Sequence, residues 1–446
     1  MISKLESHTF SELSVGDSVC QSRLIVARDA LLLAAITGTP PTDAAWAALL
    51  LGAVSGCCLP GSGSSVLRAD LQMISPILPG MEVEIRLTVR EKLKDNQALL
   101  DCFMRVKNGK LLVEGTLRVR VPTERSLLVC TDAPDVRIND HVRHQQLIAR
   151  CKGLKPAVTA IVHPCDASSL RAAVEAGAAG LIIPVLVGPA EKIRQIAADE
   201  NLNIAALRVV TAPHSHAAAA EAVALARRGE VEMLMKGSLH TDELMHEVMR
   251  EETGLRTGRR ISHVYVFDVA AYPRPLFITD AAINILPSLA DKRDICQNAI
   301  DLAHVLGVEK PRVAVLSAVE TVTASLPSTL DAAALCKMAD RGQITGALID
   351  GPLAFDNAIS PQAAHDKAIV SPVAGQADIL LVPDLEAGNM LAKQLTFFDG
   401  ADGAGIVLGA RLPIVLTSRA DPPRTRIASC AIGLLLVDAR RREPLP

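Results

Sequence analysis

Residues 413–421 read PIVLTSRAD. Pro413 opens an apolar run, 414–416, short enough for a strand buried on both faces, and the run ends in Thr417, Ser418, Arg419 and Asp421. In open parallel sheets ligands bind outside the carboxyl ends of strands, so a hydroxyl and a guanidinium placed there face a cleft. Taken alone, the stretch also fits an ordinary polar turn whose arginine pairs with a nearby carboxylate. Other apolar runs stop in the same manner. Residues 231–235 lead into Lys236, Gly237 and Ser238; 313–316 into Ser317; 347–349 into Asp350, Gly351 and Pro352; and 379–382 into Pro383 and Asp384. Further upstream, 157–162 reads as a buried strand, and Asp166 caps an alanine-rich helix that ends at Gly177. Residues 291–306 form an amphipathic helix with Ile295, Ala299, Leu302 and Leu306 on one face and Gly307 as its stop. This alternation predicts an α/β region over 151–440, with parallel strands, helices on both faces, and room for two lobes flanking a cleft.

Composition narrows the function classes. A chain of 446 residues calls for two or three domains, and 49% hydrophobic against 21% charged residues describes a globular protein. Forty-six basic residues against 49 acidic ones give a net charge of −3, which offers nucleic acid or an anionic membrane no general attraction. Aromatic residues are only 2%, which leaves few platforms for base stacking. Ten cysteines without a Cys-x-x-Cys suit a reducing compartment. The first ten residues lack the apolar core of a signal peptide, and the apolar run 44–54 is too short to span a bilayer, so a cytoplasmic location is expected. His163, Cys165 and Asp166, or His214 and His216, do not have zinc-site spacing, and no metal is expected.

Collected together, the strand ends and the helices that follow them offer Lys236, Ser238, Ser317, Asp350, Asp356, Asn357, Asn389, Lys393, Ser418 and Arg419. Cations, hydroxyls and amides outnumber carboxylates, as a site for an oxyanion or phosphate requires. The glycine of Met-Lys-Gly-Ser at 235–238 lets backbone amides approach such a group closely. Nucleotide motifs are missing. Gly61-Ser-Gly63 lacks the third glycine of a dinucleotide fingerprint, and the glycines from Gly403 to Gly409 are expected to precede a strand rather than open a helix. There is no GxxxxGK[ST] loop.

Residues 1–122 differ in pattern. Leu13-Ser-Val-Gly16-Asp17 is a turn, 28–36 and 44–54 are helical, and 83–89, 100–106 and 111–121 are strands, the last two joined by an Asn108-Gly109 hairpin turn. This is the order of an α+β domain. It resembles the hot-dog fold of MaoC-like (R)-specific enoyl-CoA hydratases through LSVGDSV, Ile36-Thr37-Gly38, SPILPGMEVEIRLTV and NGKLLVEGTLRVRVP. The resemblance breaks at the catalytic loop. Hydratases use an Asp and a His of a G-D-x-N-P-x-H-type motif; here the segment reads TGTPPTDAAW, with Thr39 after the glycine and no histidine between His8 and His141. The domain is therefore expected to be silent as a hydratase and to bind an acyl-CoA or dimerise, with Asp43 reading as a helix cap ahead of Ala44. Residues 123–150 read as a linker and a leading helix.

From about 150 to 440 the chain resembles the phosphate acetyl/butyryltransferase family, and looks closer to its butyryl branch. The motifs are MKGSLHT (235–241, ending in Thr241), GLRTGRRISHV, ITDAAINILP, DGPLAFDNAIS, SPVAGQADILLVPDLEAGNMLAK and PIVLTSRAD. The resemblance implies the reaction acyl-CoA plus phosphate giving acyl phosphate plus CoA, with no metal or redox cofactor and with a homodimer or larger assembly. It gives Ser418 and Arg419 the central roles, and makes Lys236 to Ser238, Thr241, Ser317, Asp350 to Pro352, Asp356, Asn357, Asn389 and Lys393 contacts for CoA or phosphate. The acetyl branch carries an aspartate seven residues after its serine; here that position is Thr425, so Asp421 is the candidate base, with a turn-capping role at Pro422-Pro423 as its alternative. Two other functions fit the same residues. One is a bifunctional enzyme whose first domain still hydrates enoyl-CoA; the other is a non-catalytic acyl-CoA-binding protein.

Overall fold

The computed structural model describes residues 3–38, 40–125, 127–130, 142–417 and 421–442. They fall into two compact units, Met1–Asp140 and His141–Pro446. Among the described residues no helix is long and apolar enough to cross a membrane.

In chain order the first unit contains β1 (Ser3–Glu6), β2 (Ser18–Leu24), α1 (Ala27–Thr37), α2 (Asp43–Cys57), β3 (Ser65–Met73), β4 (Glu82–Leu93), β5 (Gln97–Val106), β6 (Leu111–Arg120) and β7 (Leu127–Cys130). Strands β2-β4-β5-β6-β3 form one antiparallel sheet, and β1 pairs with β7 apart from it. The alternation of β4 and β5 turns Val83, Ile85, Leu87, Ala98, Leu100 and Met104 to one face, where Trp46, Leu50, Leu51 and Val54 of α2 pack. A helix held against an antiparallel sheet in this way is the hot-dog arrangement. Asp43 does not cap α2. Thr42 does, its hydroxyl accepting from the Ala45 amide at 3.3 Å, whereas Asp43 accepts from the Ile77 amide at 2.9 Å. The chain entering β4 brings that amide to the start of α2, where it needs an acceptor.

The second unit begins with α3 (Val142–Arg150), β8 (Ala157–Val162), α4 (Ala167–Ala178), β9 (Ile182–Gly188), α5 (Ala190–Asp199), β10 (Arg208–Thr211), α6 (Ser215–Arg227), β11 (Met233–Lys236) and α7 (Thr241–Met249). It continues with β12 (Ser262–Asp268), β13 (Leu276–Thr279), α8 (Leu289–Val305), β14 (Arg312–Leu316), α9 (Pro327–Asp340), β15 (Leu348–Leu353), α10 (Phe355–Ile359) and α11 (Pro361–Asp366). The last elements are β16 (Ile379–Leu381), α12 (Leu385–Phe397), β17 (Asp402–Leu408), β18 (Ile414–Val415) and α13 (Pro423–Arg442).

All eleven of these strands join one sheet, ordered β10-β9-β8-β11-β18-β17-β12-β13-β16-β14-β15. The first five are mutually parallel, as are the last four; between them β17 pairs antiparallel with β18 and β12, and β12 antiparallel with β13. The two parallel blocks consequently run in opposite senses. On one face a single core, with Ile161, Met235, Phe277, Val313 and Ile432 among its members, runs under both blocks. On the other face the core is split. Ala160, Leu234, Leu244 and Ile414 pack in one cluster, and Ile278, Ala314, Leu380 and Leu395 in another. Lobes thus arise on one side of a continuous sheet.

Two sequence expectations need correction. Gly403 and Gly405 do not precede a strand; they lie in β17 itself, in the centre of the sheet, and Gly409 follows it. Asp350, Gly351 and Pro352 do not follow a strand but belong to β15.

Helix α13 closes the unit. In its last turn Arg441 grips both oxygens of Glu232 at 2.7 and 2.6 Å, and Glu232 also accepts from the Val158 amide in β8 at 3.1 Å. The Arg441 hydrogen bond is the main reason the Glu232 carboxyl sits below its ordinary value of 4.5. A depressed carboxyl stabilises the fold above its unfolded pKa and loses that contribution as pH falls through the folded one. Glu232→Gln should therefore lower stability at pH 7 by about 1 kcal/mol, since the pair is partly solvated. In urea melts at several pH values the gap from wild type should close on acidification below 4.5; a gap that persists unchanged there would contradict this role.

Candidate active site

The carboxyl ends of β8, β11 and β18 lie side by side, with Val162 opposite Lys236 and Met235 opposite Val415. Beyond β11 the chain is stitched to the end of β8. The Gly237 amide donates to the Val162 carbonyl and the Ser238 amide to the His163 carbonyl, both at 2.9 Å. The Ser238 hydroxyl donates to the His163 carbonyl at 3.1 Å and accepts from the Cys165 amide at 3.2 Å. A Cβ on Gly237 would lie 2.5 Å from the Val162 oxygen and 2.7 Å from that of His163, so only glycine lets the two strand ends approach this far.

This stitch buries charge. Lys236 is 8% exposed, Thr417 at the end of β18 7%, and Arg426 in the first turn of α13 6%. With Asp166, Ser168 and Ser169 they enclose a space of about 10 Å³, room for roughly one water. A second cavity of about 250 Å³ shares Ser168 and Arg426 and is also lined by Asp421, Arg171 and Glu175. Asp166 caps α4, accepting from the Ser169 amide at 2.7 Å. Burial pushes its carboxyl up, but the Ser169 and Ser168 hydrogen bonds, with Arg426's charge, bring it below the usual range. Among the described residues Lys236, Arg426 and Asp166 bring charge to the small space, beside the amino ends of α4 and α13, where the helix dipoles favour an anion.

Ser418 and Arg419 lie outside the described residues; their neighbours Thr417 and Asp421 place the chain on either side of them at this site. Thr425, the position where the acetyl branch carries its aspartate, is buried, and its carbonyl accepts from the Ser429 hydroxyl at 2.8 Å. That position serves packing here.

The remaining expected residues gather in the second parallel block. Ser317 follows β14, its hydroxyl 2.8 Å from that of Ser328, and Asp350 accepts from the Gly351 amide at 2.9 Å beside Pro352 in β15. Asn357, fully buried in α10, donates to Glu320 at 3.3 Å, and Lys367 reaches both Glu320 and the exposed Asp356 at 3.5 and 3.6 Å. On α12, Asn389 donates to the Ala281 carbonyl at 3.2 Å, and Lys393 is exposed. A cavity of about 490 Å³ opens between Ser317, Phe355, Pro383 and Met390. Thr241 begins α7, beside the first group.

Asp166 and Arg426 went unrecognised as site residues in the sequence. Asp166 follows the apolar run 157–162 as Lys236 follows 231–235, a parallel that was available; Arg426, inside a helix, carried no such signal. Among the described residues no group of three or more His, Cys, Asp or Glu is placed to hold a metal ion.

A family profile described as Phosphate acetyl/butaryl transferase matches residues 214–433. A phosphate acetyltransferase of Rhizobium meliloti is 64% identical over 300 residues, which span 67% of this chain and 95% of that protein. The chain belongs to the phosphate acetyl/butyryltransferase family. A phosphate butyryltransferase of Clostridium beijerinckii is 43% identical over 291 residues, covering 65% of this chain and 96% of that protein. The expected nearness to the butyryl branch is thus reversed between these two relatives. The crystal structure of a branched-chain phosphotransacylase from Enterococcus faecalis matches with a TM-score of 0.56 at 29% identity, over 63% of this chain and 99% of that one.

Gly237→Ala should cost roughly 1–3 kcal/mol, because its Cβ meets backbone that has no room to yield. Gly258→Ala, where nothing lies within 4 Å, should leave the urea midpoint unchanged. Equal midpoints for the two variants would refute the close approach of β8 and β11.

Proposed function

We propose that this chain transfers a short-chain acyl group between CoA and inorganic phosphate, by direct attack of bound phosphate on the thioester. A phosphate oxygen bonds to the acyl carbon, the carbon–sulfur bond breaks, and the departing thiolate takes a proton to become the CoA thiol. Oxidation states do not change, so the reaction needs no redox partner. Holding phosphate against the thioester turns a two-body encounter into a positioned one. The observation that carries the reading is the pair of buried cations, Lys236 and Arg426, beside Thr417 at the end of β18, in a chain of this family.

In this reading Arg419 grips phosphate oxygens with its planar fork, Ser418 donates to the oxyanion or the leaving sulfur, and Lys236 and Arg426 supply further positive charge. Asp421 receives or returns the thiol proton. Ser317, Asp350 to Asn357, Asn389 and Lys393 contact CoA, whose acyl end comes to the first block. The first unit, without an imidazole between His8 and His141, serves binding or pairing of copies rather than hydration. The assembly is a homodimer or larger, and it acts in the cytoplasm.

Arg419→Ala should cut phosphate-dependent turnover by about 10² to 10³-fold with an unchanged melting curve. Lys236→Met should raise KM for phosphate roughly tenfold and that for acyl-CoA much less. Near-normal turnover of Arg419→Ala at low phosphate would refute the assignment.

A further inference from the structure

The turn that leaves β13 is folded around a carboxylate. Asp280 is 3% exposed, and its Oδ1 accepts from the Ala282 and Ile283 amides at 2.9 and 3.1 Å. Its Oδ2 accepts from the Asn284 amide at 3.2 Å and from Asn284 Nδ2 at 2.5 Å. Burial pushes this carboxyl above its ordinary value of 3.8, against the pull of the Ala282 amide, the Asn284 side chain and the Ile283 amide. A carboxylate is kept so far from water only where donors surround it, as three amides and a side-chain NH2 do here. Asn284 in turn donates to the Ile261 carbonyl at 2.9 Å and accepts from Arg260 Nε at 2.6 Å, which fastens the turn to the two residues that precede β12.

The other side of the turn carries α12. The Leu385 amide donates to the Ile285 carbonyl at 3.1 Å, and Asn389 Nδ2 donates to the Ala281 carbonyl at 3.2 Å. A Cβ on Gly388 would lie 2.7 Å from the Asp280 carbonyl oxygen and 3.1 Å from Ala281 Cα, so glycine is what lets the helix come this close. Ala281 belongs to the core cluster of the second parallel block, whereas Ala282 and Ile283 pack against that of the first. The turn therefore sits where the divided core meets. Its two asparagines differ. Asn284 is 2% exposed and both ends of its amide are used within the chain. Asn389 is half-buried, and among the described residues its side chain makes only the bond to Ala281. Because a carbonyl can only accept, that bond fixes which end of the Asn389 amide is nitrogen and leaves Oδ1 as an acceptor.

We infer that Asp280 is a positioning residue for CoA binding: its turn holds Asn389 so that Oδ1 accepts from an N–H or O–H of CoA, in the pantetheine arm or in the nucleotide. Inorganic phosphate chiefly accepts hydrogen bonds, which suits it poorly to a fixed acceptor, so Asn389 serves CoA. This deepens the functional reading above and rests on it. Asp280, its oxygens occupied by the turn, does not itself touch substrate.

The test measures kcat, KM for acyl-CoA and phosphate, and melting in the full chain for Asp280→Asn, Asn389→Ala, their double variant and Asp378→Asn. Asp378 is a carboxylate of similar burial, 5% exposed, that holds Arg274 and Arg312 just before β16. Asp280→Asn sets an NH2 against the donors of the turn. It and Asn389→Ala should each raise KM for acyl-CoA about tenfold, leave that for phosphate within about twofold, and together do little more than either alone. Asp378→Asn should lower the melting temperature and leave both KM values unchanged. Acyl-pantetheine in place of acyl-CoA tells the donors apart: Asn389→Ala still raises KM if the donor lies in the pantetheine arm, and no longer does so if it lies in the nucleotide. An unchanged KM for acyl-CoA in Asp280→Asn, or a double variant whose effect is the product of the two single ones, overturns the inference while phosphate-dependent turnover stands. An equal KM rise in Asp378→Asn also overturns it, by showing a general packing effect. Thiol release by the wild-type chain that does not depend on phosphate overturns the functional reading beneath it. Should Asp280→Asn fail to fold, Asn284→Ala, which removes one bond to the carboxylate through its side chain, decides the matter by the same KM comparison.

Discussion

The close approach of two parallel strand ends governs this site. β8 and β11 finish level with each other, and Gly237 and Ser238 bind back to the Val162 and His163 carbonyls. That contact leaves Lys236 with little access to water and brings it against Asp166 and Thr417. Withdrawing a lysine and an arginine from solvent is costly unless negative charge is near, and Asp166 lines the same small space as both. Backbone geometry, in this sense, gathers buried charge at one strand end.

Opposite-sense blocks add a second constraint. Because β17 and β12 are inserted antiparallel, the sheet stays continuous while the core on one face divides into two clusters. The rings of His263, Tyr265 and Phe267 on β12 occupy the space that β17 leaves by carrying Gly403 and Gly405. A Cβ on Gly405 would meet both His263 and the carbonyl of Leu416, the residue that follows β18, so the chain is closely packed there.

Much of this was legible in the sequence where one physical cause dominated. Parallel strands are buried on both faces, so 157–162, 313–316 and 414–416 appeared as apolar runs, broken only by Thr159, and lie at or within one residue of the observed strands. Asp166 was read as a cap and is one, since a short acceptor before an alanine-rich helix has few other uses. Where two causes competed, the reading failed. Gly403 and Gly405 were read as preceding a strand, because the rings they accommodate belong to a strand more than a hundred residues away. Asp350-Gly351-Pro352 signalled a turn but stays in β15. β3 was missed because its residues are largely exposed and show no alternation. Asp43 answered to the Ile77 amide, a partner no local pattern reveals. Arg426 joins the small space beside Lys236 only through the placement of α13.

The most direct test of a phosphate-binding strand end is release of CoA thiol from acyl-CoA by the wild-type chain, followed with a thiol reagent as phosphate is varied. Acyl chains from two to five carbons would be compared side by side. The account predicts saturable dependence on phosphate and one thiol released for each acyl phosphate formed. Thiol release that proceeds at the same rate without phosphate, or none at any chain length, would contradict it.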